Sequence, residues 1–255
     1  MIERTKDHIE NPTQFTPRQR LWYIRAKEVI LSTGSIERPL VFGNNDRPGI
    51  LLASAAKEYM KVYGVLVGKK PIIFTNNDSG YETAIEFKKN GIEPIVLDTR
   101  KKHDNATIQE AINLNINVKF SYGVVNSQGY KRVKSATIGK LNSDKSGYEI
   151  LENIPCDCIC VSGNWTPSVH LSSQSGNKLK FNEKIDAFTP NQSRQNENTI
   201  GSAKGSFTLK QTLNEGFVTG YDLSKKINGK SLKSSTPTSN ERSYTEHDKF
   251  WCMPL

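Results

Sequence analysis

Three short stretches of the chain place glycine, hydroxyl and carboxylate residues at the ends of apolar runs, where an α/β protein can hold a phosphate. The first is Thr75-Asn76-Asn77-Asp78-Ser79-Gly80, between the apolar run Pro71-Ile72-Ile73-Phe74 and a helical pattern opening at Tyr81. A dinucleotide pyrophosphate needs a strand, a turn whose glycines let the backbone come close, and a helix N-terminus whose dipole favours the anion. Laid on that pattern, Thr75, Asn77 and Gly80 take the three glycine positions, and only the last is glycine. Asn77 stands at the close-approach position, and Asp78 adds negative charge where phosphates would sit. Asp98, ending the next apolar run, has the position of a ribose-binding acid and reads equally well as a strand-end turn residue. The segment is a dinucleotide-fold shell with a degraded phosphate loop.

The second stretch is Ser32-Thr33-Gly34, closing the run Glu28-Val29-Ile30-Leu31. The third is Gly201-Ser202-Ala203-Lys204-Gly205, after Thr199-Ile200 and just before Phe207. Either could be an ordinary turn. Cys156, Cys158 and Cys160 alternate within an apolar run, so they are expected on one core-facing side of a strand as small hydrophobes. CxxC spacing is absent, and no metal site is expected. His170 lies between apolar neighbours and is expected as a packed helix histidine. No Ser-His-Asp or Cys-His arrangement and no carboxylate pair stands out, so no catalytic residue is nominated.

The elements that must position these residues follow from periodicity and turn chemistry. Arg20 to Ile24 alternates like a strand, and Glu28 to Leu31 reads as a buried one. Ile50 to Tyr63 has helical composition and stops at Gly64. Pro71 to Phe74, a helix opened by the capping box Ser79–Glu82 and ended by Gly91, and a strand from Ile92 to Asp98 form a β-turn-α-β unit. Ala106 to Asn113 reads as a helix. Val118 to Val125 and Arg132 to Ile138 read as a hairpin around Asn126-Ser127-Gln128-Gly129, with Tyr148 to Leu151 as a further strand. Cys156 to Val161 is a buried strand, and Ser206 caps a long helix to Ile227 with Gly216 and Gly220 on one face. Gly229 to Asp248 is polar and reads as an ordered wrap or a disordered linker, and Phe250-Trp251 is expected to open an element the chain does not complete.

Composition sets outer limits. Apolar residues are 35% of the 255, and mean hydropathy is −0.57, low for a closed globular core. The net charge of +9 is dispersed, and clusters such as Arg100-Lys101-Lys102 read as solvated helix ends or loops. No nucleic-acid signature and no apolar run long enough to span a membrane is found. MIERTKDHIE lacks the apolar stretch of a secretory signal, so the cytoplasm is the expected compartment.

The segments RLWYIRAKEVILSTGSIERPLVFGNNDRPGILLASA, TNNDSGYETA and CVSGNWTPSVHLSSQSGNKLKF resemble the central region of the alpha subunits of bacterial heterotetrameric sarcosine oxidases, over residues 1 to 229. Opine and amine oxidase subunits share the weaker parts. Ser32-Thr33-Gly34 is similar to the crossover segment of two-dinucleotide-domain flavoproteins, and Gly201 to Gly205 to their second nucleotide-contacting turn, here without its Asp.

The resemblance implies an α/β, disulfide-reductase-like fold with an inserted Rossmann-like domain and the first βαβ unit missing. Residues 1–63 and 153–229 would be two parts of one interrupted nucleotide-binding domain. Residues 64–152 would be the inserted domain, and 230–255 a linker toward a folate-binding domain. It further implies NAD binding by the alpha subunit, with FAD, FMN and tetrahydrofolate elsewhere in an assembly with beta, gamma and delta subunits. That assembly oxidatively demethylates sarcosine to glycine with oxygen. Cofactor contacts would fall on Ser32, Thr33, Gly34, Arg38, Gly163, Trp165, Gly201, Gly205 and Phe207. Thr75, Asn77, Asp78, Gly80 and Asp98 would form the degenerate second loop. The alternatives are a non-catalytic scaffold or an opine or amine dehydrogenase subunit. A chain lacking its first βαβ unit should leave sheet edges bare beside Val29-Ile30-Leu31 and Cys158-Ile159-Cys160.

Overall fold

The computed structural model describes residues 2–229, 235–239 and 248–254. Its first strands are short: β1 (Ile2–Arg4), β2 (Gln19–Leu21), β3 (Val29–Leu31) and β4 (Ser35–Glu37). β1 and β2 pair antiparallel with every residue exposed. The strand expected over Arg20 to Ile24 thus ends at Leu21, and Tyr23 and Ile24 project into solvent.

The next segment builds the centre of the molecule. β5 (Ile50–Leu52) precedes α1 (Ala53–Tyr63), so the helix expected from Ile50 starts three residues later. The apolar triplet Ile50-Leu51-Leu52 is used as a sheet strand. Gly64, at φ 63°, ends α1 as expected. Then β6 (Pro71–Thr75), α2 (Ser79–Lys89), β7 (Ile95–Asp98), α3 (Ala106–Asn113) and β8 (Asn117–Phe120) alternate as a βαβαβ unit.

The α2 capping box does not form. Ser79 is already helical, and its amide donates to Asn77 Oδ1 at 2.9 Å. Asn105, unremarked in the sequence, caps α3 by accepting from the Thr107 and Ile108 amides.

The run Val118 to Val125 is not one strand. Ser121 takes φ 60° and turns the chain out of the parallel sheet. β9 (Tyr122–Gln128), β10 (Ser135–Leu141) and β11 (Tyr148–Pro155) then form an antiparallel meander, with the first turn after Gln128 rather than at 126–129.

β12 (Cys158–Ser162) returns to the first sheet, whose order is β5-β12-β6-β7-β8, all parallel. Ile73, Tyr81, Phe87, Val96, Cys158 and Cys160 pack beneath the helices, and Phe42, Ile72, Phe74, Leu97, Ile138 and Ile159 beneath the meander. A parallel sheet covered on both faces needs continuous apolar strands, which explains PIIF and CICV. Cys156 lies on the meander side, opposite Cys158 and Cys160. The strand begins only at Cys158, so the alternation expected from Cys156 is broken. The edge expected to be bare at Cys158 to Cys160 is also absent, because β5 and β6 flank it.

The chain closes with β13 (Trp165–Pro167), α4 (His170–Gln174), the hairpin of β14 (Lys178–Asn182) and β15 (Ala187–Gln192), β16 (Glu197–Thr199), a tight turn over Gly201–Lys204, and α5 (Leu209–Asn228). β13 pairs antiparallel with β4, and β16 pairs parallel with β3. β3 was expected to be buried, yet Val29 and Ile30 are 42% and 41% exposed, because β16 is its one neighbour among the described residues. Thr208, not Ser206, caps α5, and no α5 residue is buried. His170 is exposed at the start of α4, not packed.

Of the expected linker 230–255, residues 230–234, 240–247 and 255 lie outside the described residues. Residues 248–254 run back over the central sheet rather than away from it. The amides of Val41 and Met253 each bond the other strand's carbonyls across a short parallel bridge at Cys252.

Candidate functional site

The structure sorts the expected site residues into two clusters joined by the β4–β13 ribbon. The outer cluster sits at the carboxyl ends of β3 and β16. Leu31 O accepts from the Ile200 amide at 3.0 Å, so Ser32-Thr33-Gly34 and Gly201-Ser202 leave their strands side by side. Thr33 Oγ1 donates to Ser168 O at 2.7 Å, and the Ser168 amide donates to Gly34 O at 2.9 Å. Gly34, Gly201 and Gly205 all have positive φ, at 74°, 66° and 99°. The amide of Gly201 donates to Glu215 Oε2 at 2.8 Å, and Ser206 Oγ to Glu215 Oε1 at 2.6 Å, so one α5 carboxylate ties the turn. Phe207 is half-buried between that turn and the α5 cap.

Arg38 and Gly163 belong to the ribbon. Arg38 donates through its Nη1 to Asp186 O at 3.1 Å and Oδ2 at 3.4 Å. A Cβ on Gly163 would lie 2.8 Å from the carbonyl oxygens of Arg38 and Pro39, so glycine is needed there for chain crossing. Asn164 adopts φ 80° with full burial. The neighbouring Glu37 carboxylate is buried and accepts from Ser54 N at 2.8 Å and Ser54 Oγ at 2.6 Å, capping α1 from another element. Trp165 reaches the inner cluster, its indole N–H donating to Ser79 Oγ at 3.3 Å.

The inner cluster lies at the carboxyl ends of β6, β12 and β7. With β7 and β8 on one side of β6 and β12 and β5 on the other, the order reverses between β6 and β12. In open α/β sheets that switch point is where ligands bind. Here it is sewn shut. Asn77 Nδ2 donates to Ser162 O and Oγ, both at 3.1 Å, and the Asn76 amide donates to Ser162 O at 3.2 Å. Thr75 Oγ1 donates to Asn77 O at 2.8 Å and fixes the turn. A Cβ on Gly80 would come within 2.6 Å of the Thr75 side chain, so the helix–strand contact role of the third glycine survives.

Asp98 is fully buried and turned inward. It accepts from Tyr81 Oη at 2.7 Å, from Arg100 N at 2.9 Å, and from Arg100 Nε and Nη2 at 3.0 and 2.9 Å. Arg100 Nη1 reaches Asp78 Oδ1 at 2.9 Å. Burial works against the Arg100 charge, but the hydrogen bonds and attraction of Asp98 and Asp78 outweigh it and hold the guanidinium protonated more firmly than usual. Burial, then the Asp98 charge, pushes the Tyr81 hydroxyl well up, so it stays a donor. Arg100, read as part of a solvated cluster, is thus the buried centre of the site. Its two-residue spacing from a strand-end Asp was the available signal, since an Asp side chain commonly accepts from the backbone two residues on.

The thiols of Cys156 and Cys160 are held protonated. The Cys160 thiol is held high by its hydrogen bond with Cys158 and by burial, and burial pushes Cys156 up to about 12. Among the described residues no helix is long and apolar enough to cross a membrane.

No family model matches the chain. It is 33% identical over 222 residues to the sarcosine oxidase subunit alpha of Corynebacterium sp. (strain P-1), covering 86% of this chain and 23% of that protein. To the sarcosine oxidase subunit alpha of Rhizobium meliloti it is 31% identical over 222 residues, covering 84% and 21%. The chain therefore spans under a quarter of the length of these relatives. In structure it is similar to L-proline dehydrogenase from P. horikoshii (TM-score 0.55, 21% identity, 81% of this chain and 36% of that one). T. acidophilum thioredoxin reductase matches with TM-score 0.56 and 18% identity, over 73% and 60%. At those identities the match establishes the fold, an α/β flavoprotein architecture of the disulfide-reductase type, as expected. Over its matched residues, the chain is similar in sequence to sarcosine oxidase alpha subunits.

Proposed function

We propose that the chain is part of an NAD-binding alpha subunit in a cytoplasmic sarcosine-oxidising assembly, and that its outer turns, not its inner loop, face the nucleotide. The observation that carries this is the pairing of two parallel strands whose carboxyl ends open side by side into Ser32-Thr33-Gly34 and Gly201-Ser202. Backbone turns of small residues at adjacent parallel-strand ends let a dinucleotide lie against the main chain. The inner loop fits poorly, because Asn77 and Asp98 have given their polar atoms to Ser162, Arg100 and Tyr81.

In this reading the pyrophosphate turn comes from a βαβ unit added beside the exposed edge of β3. Oxidative demethylation of sarcosine to glycine, with FAD, FMN and oxygen, belongs to partner subunits of beta, gamma and delta type. Folate chemistry belongs to a further domain. The residues of this chain bind and orient, and none is assigned a catalytic step. The same reading covers related amine and opine substrates, which only an activity assay separates.

The test is calorimetric. The chain alone should bind NAD more weakly than micromolar, and co-assembly with the partner subunits should produce tight binding. Protection from hydrogen exchange should then map to residues 32–34 and 201–205. Micromolar binding by the chain alone, about 8 kcal/mol, would contradict it.

A further inference from the structure

We propose that the inner crevice is a peptide socket: residues 248–254 of the chain itself fill the place of a dinucleotide, and the site takes no nucleotide. This goes beyond the outer-turn reading and does not depend on it.

The switch point lies above Thr75, Ser162 and Asp98, and residues 248–254 anchor there. The Asp248 amide donates to Asn76 O at 3.1 Å. Asn76 Nδ2 donates back to Asp248 O at 3.0 Å and to Phe250 O at 2.6 Å, so one buried amide reads two carbonyls of the segment. Thr99 Oγ1, at the end of β7, donates to Asp248 Oδ2 at 3.3 Å, and Lys145 pairs with the same carboxylate. Further along, the Val41 amide donates to Trp251 O and the Met253 amide to Val41 O, both at 2.9 Å. Phe250 packs on the meander-side core, and Met253 is a buried member of it. A Cβ on Gly123 would lie 2.5 Å from Met253 Sδ, so the socket is shaped around this methionine.

These contacts are the main-chain recognition of an extended peptide with apolar anchors. A lid over a working nucleotide site would leave that site's polar groups ready beneath it. Here the strand-end acid is spent on Arg100 and Tyr81, Asn77 is spent on Ser162, and Asp78 puts a carboxylate where phosphates would sit. Lifting the segment would expose no ribose acceptor and no phosphate cradle. The socket ties the chain's end to the central sheet.

Hydrogen exchange with mass spectrometry on the full chain tests this, using NADH as the probe at roughly millimolar concentration. Two variants loosen the segment independently, Asn76→Ala at the polar anchor and Met253→Ala at the apolar one. Amides of Val41 and Met253 should be protected in the unmodified chain. They should exchange about tenfold faster or more in either variant, while NADH changes nothing at 75–80 or 98–100 in all three proteins. Protection of 75–80 by NADH in the unmodified chain would overturn the proposal. Protection only in the loosened variants would also overturn it, by making the segment a gate over a live site. Free exchange at Val41 and Met253 in the unmodified chain would show the segment undocked and sink the idea. NADH protection at 32–34 and 201–205, present or absent, bears on the outer reading alone.

Discussion

The central parallel sheet and the β3–β16 pair are built from the same kind of residues and end in opposite conditions. β6 and β12 are buried at every position, between helices on one face and a meander on the other. β3 carries Val29-Ile30-Leu31, as apolar as any central strand, and leaves two of its three residues 42% and 41% exposed. α5, with Leu209, Val218, Tyr221 and Ile227 exposed, has no fully buried residue. Isolated two-stranded parallel sheets have no stability of their own, since parallel sheets depend on both faces being covered. The inner half is a finished fold whose ligand site has been filled by its own residues. The outer half keeps open turns and an uncovered edge. Closure and function are therefore expected in different halves.

The largest effect should come from the inner ion cluster. Arg100→Met leaves Asp98 and Asp78 in a buried site without their cation, at a cost of about 3–5 kcal/mol, or roughly 10 °C in melting temperature. Arg100→Lys should rescue little, because one ammonium cannot span two carboxylates as the guanidinium fork does. Thermal melts of both variants check this. A loss below about 1 kcal/mol for Arg100→Met would mean the cluster is solvated and the inner site open.

A matched pair of truncations sharpens the contrast. Ile73→Ala, in the middle of β6 and fully buried, should cost about 2–5 kcal/mol. Ile30→Ala, chemically the same change in β3, should stay within about 0.5 kcal/mol until a partner covers that edge. Urea titrations of the two variants read the difference. Equal losses in the isolated chain would show that β3 is already packed in solution.

Much of the inner fold was legible because its signals are local. Gly64 and Gly91 end helices where a left-handed residue is required, and Pro71 to Gly80 reads strand, turn and helix within ten residues. The inner loop's departure from a glycine pattern was also legible, since Thr75 and Asn77 stand at two of the three glycine positions and Asp78 adds negative charge beside them. What escaped depends on distance along the chain. Val29-Ile30-Leu31 has the same apolar pattern whether or not a neighbouring strand covers it. Ser121 divides an apparently continuous strand because a non-glycine residue adopts positive φ there, which composition does not announce. Arg100 looks like its lysine neighbours until Asp78, 22 residues earlier, folds beside it. Residues 248–254 gave no sign of docking, because Asn76 is more than 170 residues away. Family resemblance reached further than periodicity, marking the segments around Asn77 and Gly163 although their contacts close the inner site.

The smallest expected effect compares one carboxylate from each half. Asp157, just before β12, accepts the amides of Lys69 and Lys70, each at 2.8 Å, and pins the loop after α1 to the sheet. Burial tends to raise this carboxyl, but those two amides and the Arg132 charge outweigh it and hold it below the usual carboxylate range. A depressed carboxylate stabilises the fold fully above its unfolded pKa, about 3.9, and that contribution is lost as pH falls through the lower folded value. Asp157→Ala should therefore lower stability by about 1 kcal/mol at pH 7 and equally at pH 5. The gap to the unmodified chain should narrow only below about pH 4. Asp7, paired with Arg18 beside the β1–β2 ribbon, is the outer counterpart, with the arginine side chain 76% exposed. Asp7→Ala should change stability by no more than roughly 0–1 kcal/mol. Denaturant melts of both variants at pH 7, 5 and roughly 3 decide it. A gap for Asp157→Ala that stays constant into acid would show the lost contacts to be packing rather than charge. A loss well above about 1 kcal/mol for Asp7→Ala would show the outer half to be more closed than its bare strands indicate.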